Sequence, residues 1–274
     1  MPAMSRHTLI VVARAGVAVL VVGVAAELVM PRFAFAVAVA AAAAVIAFEL
    51  SRVAATFTRR FDELAADLAQ TQPLLDLARI LPTRRPLPPL REYAIAADAA
   101  VLLADLVARE RPKLVVETGS GVSTLVLAYA LEKLGEGGRV VALDHNTEYA
   151  ARTRALIAEH GLEAIATVVD APLEPIEVRG EQHRWYATRA LAGLDKIDLV
   201  FDDGPPRHVG PMLRYVSLHM LAPKLAPRAT FVLDVVGAEE RAVLARWRRE
   251  LPDFDQELLA TKKGNVIIRD RRSR

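Results

Sequence analysis

Cysteine is absent from the 274-residue chain. That excludes disulfides, thiolate-ligated zinc, iron–sulfur clusters and thiolate catalysis, and it removes any reading of redox compartment. Aromatic residues are scarce, at 5%, and neither sign of charge is in excess: 35 Lys+Arg stand against 33 Asp+Glu, a formal net charge of +2. Binding along a nucleic-acid backbone needs a basic surface, so nucleic acid is not an expected partner. No internal repeat is visible.

Apolar residues are what the chain has in quantity: 53% of the total, with a mean hydropathy of +0.25, beside an ordinary charged fraction of 25%. They concentrate in residues 1–50. Leu9 to Met30 reads LIVVARAGVAVLVVGVAAELVM, and after Pro31-Arg32 comes FAFAVAVAAAAAVIAFEL, Phe33 to Leu50. Each stretch approaches the ~20 residues that cross a bilayer core, and each is apolar all round. The pattern predicts a transmembrane hairpin. Two other readings compete. Val24-Ala25-Ala26 would serve as a signal-peptidase site, although Arg14 interrupts the apolar region and the second stretch is then unexplained. The Ala-rich second stretch would also suit a buried soluble helix. Arg14 and Glu49 lie at nearly equal separations from Pro31, so an antiparallel pair of helices brings them to similar depth. There they pair, Arg14 snorkels, or both simply reach the headgroups. Arg6 and Arg14 precede or begin the first span and Arg52, Arg59 and Arg60 follow the second, with only Arg32 in the turn. This distribution predicts two spans in the cell membrane with both termini in the cytoplasm.

Residues 51–89 read as a juxtamembrane helix and a linker. Phe57, Phe61, Leu64 and Leu68 recur on one helical face, which either lies on the membrane or pairs with a second copy, giving a homodimer through residues 51–72. Pro73 interrupts this helix, and Pro82 to Pro89 (PTRRPLPP) reads as a semi-rigid linker. Residues 90–274 are enough for an independent core.

That remainder alternates strand and helix. Strands are expected at Lys113–Thr118, Arg139–Asp144, Ile165–Val169, Ile197–Asp202 and Thr230–Asp234. Helices are expected at Tyr93–Arg109, Ser123–Leu134, Thr147–His160 (capped by Asn146 or Thr147), Trp185–Leu194, His208–Leu221 and Ala238–Leu251. A final hairpin over Glu257–Arg269 turns at Lys262-Lys263-Gly264. The order predicts an α/β fold with a mostly parallel sheet covered on both faces. Such sheets bind ligands beyond the carboxyl ends of their strands. Glu117, Asp144, Asp170, Asp202, Asp203 and Asp234 all fall at or just past strand ends; for any one of them the plainer reading is a helix cap. The sharpest local signal is VVETGSGVST, Val115 to Thr124, a strand entering a helix through glycines that let backbone approach a ligand. The plainer reading is a helix-entry turn without ligand. It departs from the dinucleotide fingerprint GxGxxG, whose last glycine is here Thr124.

The sequence resembles class I S-adenosylmethionine-dependent methyltransferases. ETGSG matches their first motif, VVALDHN their second-strand acid, VVDAPL the third and DLVFDDGPP the fourth; the likeness runs from about Ala94 to Arg269. It implies a Rossmann-like, mostly parallel seven-stranded sheet and S-adenosyl-L-methionine as cofactor. Gly119 and Gly121 would then admit its amino-acid end and ribose. Glu117 would anchor the turn or accept from the cofactor's ammonium. Asp144 would accept both ribose hydroxyls, with His145 packed on adenine or ribose, and Asp170 with Ala171 would border adenine. Ser120, Ser123, Thr124 and Asp202 complete the cofactor set that the resemblance implies.

Methyl transfer from an activated sulfonium needs alignment, and a hydroxyl acceptor also needs a base. His208, in DDGPPRH, is placed to act as that base, and Asp203 to meet the acceptor; an ordinary surface His is the plainer reading. Asp203 and Asp234 also stand where catechol-type O-methyltransferases hold a divalent cation. In that group an Asn usually follows the second Asp, whereas here Val235 does, which argues against a metal. DGPP with a nearby His looks more like a broad bacterial methyltransferase group often found beside glycan or natural-product genes. Gly180 to Tyr186 suggests an acceptor-side lid presenting Trp185 and Tyr186, or else a packed helix start. The Arg-rich end, Arg269 to Arg274, reads as a solvated tail, with anionic lipid headgroups as an alternative contact. The leading expectation is a membrane-anchored methyltransferase, acting at oxygen of a small-molecule, glycan or lipid-linked acceptor. A non-catalytic membrane scaffold and an NAD-dependent oxidoreductase are the alternatives; Thr124 in place of the last fingerprint glycine argues against the latter.

Overall fold

The computed structural model of the chain describes residues 34–90, 94–234 and 237–273, together with 17, 20–22 and 24. The chain divides into two compact units, Met1–Leu68 and Ala69–Arg274.

In the first unit, α1 (Ala34–Leu68) is one helix of 35 residues, about 52 Å long at 1.5 Å per residue. It contains neither glycine nor proline, and its alanines favour the helix, so nothing breaks it where the apolar stretch meets the amphipathic one. Among the described residues it is the one helix long and apolar enough to cross a membrane, with a mean hydropathy of 1.6 in its apolar part. Val17, Leu20 to Val22 and Val24 are helical. The rest of the expected first span, the Pro31 turn and Arg14 lie outside the described residues. Glu49 is buried and pairs with Arg52 at 3.4 Å. Phe57, Phe61, Leu64 and Leu68 are all exposed.

The second unit opens with α2 (Thr71–Ile80), which carries Pro73 in its first turn, where a missing N–H costs nothing. Then follow α3 (Ala97–Glu110), β1 (Leu114–Thr118), α4 (Val122–Leu134), β2 (Arg139–Asp144), α5 (Thr147–Glu159) and β3 (Ala166–Asp170). After them come β4 (Leu173–Val178), β5 (Glu181–Tyr186), β6 (Ile197–Asp202), α6 (Tyr215–Leu221), β7 (Leu225–Asp234), α7 (Ala238–Glu250), β8 (Phe254–Leu259) and β9 (Asn265–Asp270). Seven strands form one sheet in the order β3-β2-β1-β6-β7-β9-β8. The first five are parallel and the last two antiparallel, as expected.

The strands are apolar on both faces because both are covered. Val115, Val140, Leu199 and Phe201 pack under α3, α4 and α5. Val116, Val141, Val200 and Phe231 pack under α6 and α7, with Trp247 among them. Asn146 caps α5, accepting from the Glu148 and Tyr149 amides at 2.9 and 3.1 Å. The Pro-rich stretch does not stand free. The Arg84 amide donates to the Tyr129 hydroxyl at 3.1 Å, its Nε to the His160 carbonyl at 2.9 Å, and its Nη1 to Glu132 at 2.7 Å.

Two expected helices are corrected. Trp185–Leu194 is not one helix: β4 and β5 form a separate antiparallel hairpin, followed by a 3-10 turn at Thr188–Leu191. The hairpin turns at Arg179-Gly180, both with positive φ (52° and 81°), a tight connection that suits the twist of paired strands. The helix expected from His208 starts only at Tyr215. Arg207–Val209 is a 3-10 turn, and Gly210-Pro211 separates the two.

Candidate functional site

The parallel topology carries every strand's carboxyl end to one rim. Register pairs Asp144 with Asp170, Thr118 with Asp202, and Asp202 with Leu233, so the acids of β1, β2, β3, β6 and β7 stand side by side. The rim also receives Asn265, opposite Asp234 at the start of β9.

At its centre is the turn from β1 into α4. Glu117 is fully buried and faces inward: Ser123 donates to Oε1, and Thr124 Oγ1 donates to Oε2 at 2.6 Å. Thr124 Oγ1 in turn accepts from the Gly121 amide at 3.0 Å. Burial pushes the Glu117 carboxyl up to about 8, against the two hydroxyls that favour its charged form. Glu117 therefore anchors the turn, with both oxygens engaged by this chain.

Asp144 closes one side. Ser120 Oγ donates to its Oδ2 at 2.5 Å and the Asn146 amide to its Oδ1 at 2.9 Å. His145 stands beside it, Nδ1 to Oδ1 at 3.7 Å. Burial holds the His145 imidazole below its usual range, with Asp144 opposing and His208 and Arg184 adding to the depression. Asp170 is exposed and ion-paired with Arg154 at 2.8 Å, while the buried Ala171 donates its amide to the Asp144 carbonyl at 2.7 Å.

The loop after β6 closes the other side. Gly119 has φ +96°, and the Asp203 amide donates to the Thr118 carbonyl at 3.1 Å. A Cβ on Gly204 would lie 2.4 Å from the Tyr186 hydroxyl, 3.1 Å from the Gly119 nitrogen and 3.2 Å from the Thr118 oxygen. The two loops meet so closely that only glycine fits. Thr118 Oγ1 donates to Asp202 Oδ1 at 2.5 Å. Burial lifts Asp202 to about 6, opposed by Arg214 and by the Thr118 and Ser217 hydroxyls.

Sequence points to Tyr186 only as lid surface, and to Arg214 not at all. Tyr186 sits at the end of a hairpin that sequence periodicity misreads, and its buried hydroxyl has no partner among the described residues. Burial and the nearby Asp144 and Asp202 raise the phenol well above its usual range, so it remains a donor. Trp185 and Tyr186 do not present flat surface in a lid; both are buried, and Trp185 donates to Ser217 at 3.1 Å. Arg214 donates from Nη2 to Asp203 Oδ1 at 3.1 Å and from Nη1 to the Asp234 carbonyl. A lone arginine before a short helix carries no sequence signal for that role. His208 is exposed on the 3-10 turn that Arg207 ties to Glu240 through paired hydrogen bonds.

Among the described residues no group of three or more His, Asp or Glu side chains is arranged to hold an ion. Asp203 is engaged by Arg214, and Asp234 Oδ1 accepts from Asn265 at 2.7 Å. Val235, where a third ligand would stand, lies outside the described residues. Cavities of about 270 and 260 Å³ lie elsewhere, one along β8 and β9 and one around Leu225 and Phe254. They hold none of this chemistry.

A carboxylate rim around a glycine turn at strand ends is a nucleoside-binding arrangement in sheets of this kind. Residues 116–235 match a family model described as a methyltransferase domain. The match runs from β1 to the end of β7, under half of the chain, and contains all five parallel strand ends. No curated protein matches the sequence. The fold is that of an O-methyltransferase from Bacillus cereus solved in complex with SAH: 15% identity, 73% of this chain and 90% of that one, TM-score 0.51. A cofactor-bound protein from MTB, Rv0187, aligns at 22% identity over 76% and 89% of the two chains, TM-score 0.49. The SAH-bound methyltransferase PaMTH1 of Podospora anserina aligns at 16% over 65% and 80%, TM-score 0.48.

Proposed function

We propose that the chain is a membrane-anchored, S-adenosylmethionine-dependent methyltransferase acting at oxygen of a small-molecule, glycan or lipid-linked acceptor. The observation that carries this reading is the single rim where Glu117, Asp144, Asp170, Asp202 and Asp234 surround the Gly119 turn, inside the stretch that matches a methyltransferase domain. When bound, the cofactor supplies an activated methyl group; the chain's own residues hold and align.

Asp144 accepts the ribose hydroxyls through the oxygens now engaged by Ser120 and Asn146. Gly119, Ser120 and Gly121 bring the turn backbone against the amino-acid end. Glu117, Ser123 and Thr124 keep that turn in shape. Asp170 and Ala171 border adenine and His145 packs beside it. Asp202, pinned by Thr118, closes the floor. On the acceptor side, Asp203 orients the hydroxyl and His208 takes its proton. Residues 1–50 form the anchor, 51–89 the juxtamembrane helix and strap, and 90–274 the catalytic domain, on the cytoplasmic side. The exposed stripe Phe57, Phe61, Leu64 and Leu68 is the contact for a second copy.

The test is calorimetric titration of the full chain in detergent with S-adenosylmethionine. Asp144→Ala should weaken binding about tenfold or more, the cost of one bidentate acceptor. Equal affinity in the variant would remove the ribose assignment, and absence of binding to the parent chain would remove the function.

A further inference from the structure

The ends of β6 and β7 gather four carboxylates, Asp202, Asp203, Asp234 and Glu240, of which Asp202, Asp234 and Glu240 are buried. Glu240 is satisfied by Arg207. The other three share one buried cation, the guanidinium of Arg214. Its two terminal nitrogens bridge the strands: one donates to the Asp203 carboxylate, the other to the Asp234 carbonyl. Lys263, which donates to the Ala94 carbonyl at 2.6 Å, adds positive charge near Asp203.

We propose that Arg214 is the resident cation of this rim, standing where a divalent ion would bridge the β6 and β7 ends, so that the chain takes no metal there. Mg²⁺ requires a near-octahedral set of oxygens at short range. Here Asp203 Oδ1 and the Asp234 carbonyl are taken by the guanidinium, and Asp234 Oδ1 by Asn265. Among the described residues two of these carboxylate oxygens have no hydrogen-bond partner, Asp202 Oδ2 and Asp234 Oδ2. They belong to residues whose charge Arg214 offsets in part, and the fixed guanidinium repels a second cation placed beside it. Arginine suits the place because it stays charged when buried and its planar fork contacts two elements at once. The inference bears on how the proposed methyl transfer proceeds, since it makes alignment at this rim a task of protein side chains.

The test reads metal binding directly, so its failure is distinct from failure of the methyl-transfer reading. The full chain in detergent is titrated with Mn²⁺ and the free ion followed by electron paramagnetic resonance. The parent chain should leave the ion free, and Mg²⁺ or EDTA should move its unfolding temperature by no more than about 1 °C. Arg214→Gly should bind one Mn²⁺ equivalent, at least about tenfold tighter than the parent, and Asp203→Asn on that background should abolish it. Arg214→Lys, which keeps the charge, should behave as the parent. One Mn²⁺ equivalent bound by the parent and lost in Asp203→Asn would overturn the proposal, even if Arg214→Gly does not fold. A folded Arg214→Gly chain that leaves all the ion free would overturn it equally.

Discussion

Glu117 is a carboxyl that the fold keeps dry. Its group lies near 8 in the folded chain against 4.5 as the reference value, with burial the leading cause. Between those values the folded state holds a proton that the unfolded state has released, so this residue's contribution to stability falls as pH rises from about 4.5 to about 8. The slope for one such group is about 1.4 kcal/mol per pH unit. Glu117→Gln has no proton to lose. Its stability relative to the parent should therefore improve steadily from pH 5 to pH 8 and then level off. Urea unfolding of both chains at several pH values measures this; a constant difference would mean that Glu117 is ionised throughout. That an acid stands at this strand end is legible in the run VVETGSG, because strand and glycine turn are both written there. That both of its oxygens are engaged within the chain is not legible, since it depends on Ser123 and Thr124 reaching back from α4.

At the scale of elements, the rim exists because two loops from non-adjacent parts of the chain touch. Gly204 makes that contact possible, and Ala there would drive a methyl group into the Tyr186 hydroxyl and the backbone of the β1 turn. Gly204→Ala should cost about 1–3 kcal/mol, the usual range for overpacking a rigid site. In Gly204→Ala/Tyr186→Phe the hydroxyl clash is gone but the Gly119 and Thr118 backbone remains, so only part of the loss should return. Full recovery in urea midpoints would place all the crowding on Tyr186. The five parallel strands were readable because each is a short apolar run ended by an acid. The β4–β5 hairpin was not. Its cue is the alternation in LEPIEV and EQHRWY around Arg179-Gly180, and the Ala and Leu residues after Tyr186 mimic a helix there. The helix expected from His208 failed for a related reason. Apolar spacing continues through the segment, but Gly210 and Pro211 stop the backbone from following it. Tyr186 and Arg214 sit on these two misread segments, so their burial at the rim is not legible, although Asp203 and His208 on the neighbouring loop are.

At the scale of the whole molecule, α1 is about 52 Å long, whereas a bilayer core is about 30 Å. A helix of that length that crosses with its apolar N-terminal part carries Phe57 to Leu68 out beyond the hydrocarbon. Arg52, Arg59 and Arg60 follow the apolar part, and in the proposed topology they remain with the cytoplasmic leaflet. In that topology the carboxyl terminus lies on the same side. The absence of cysteine makes the arrangement open to a clean measurement. A single cysteine introduced by Ser273→Cys, near the end of the sequence, is the molecule's only thiol. In intact cells it should resist a membrane-impermeant maleimide and react fully once the membrane is opened, while the chain stays with the membrane pellet after carbonate extraction. Labelling in intact cells would place the carboxyl terminus outside and invert the topology. Release into the carbonate supernatant would mean that α1 does not span at all, and the acceptor would then have to be sought among soluble molecules.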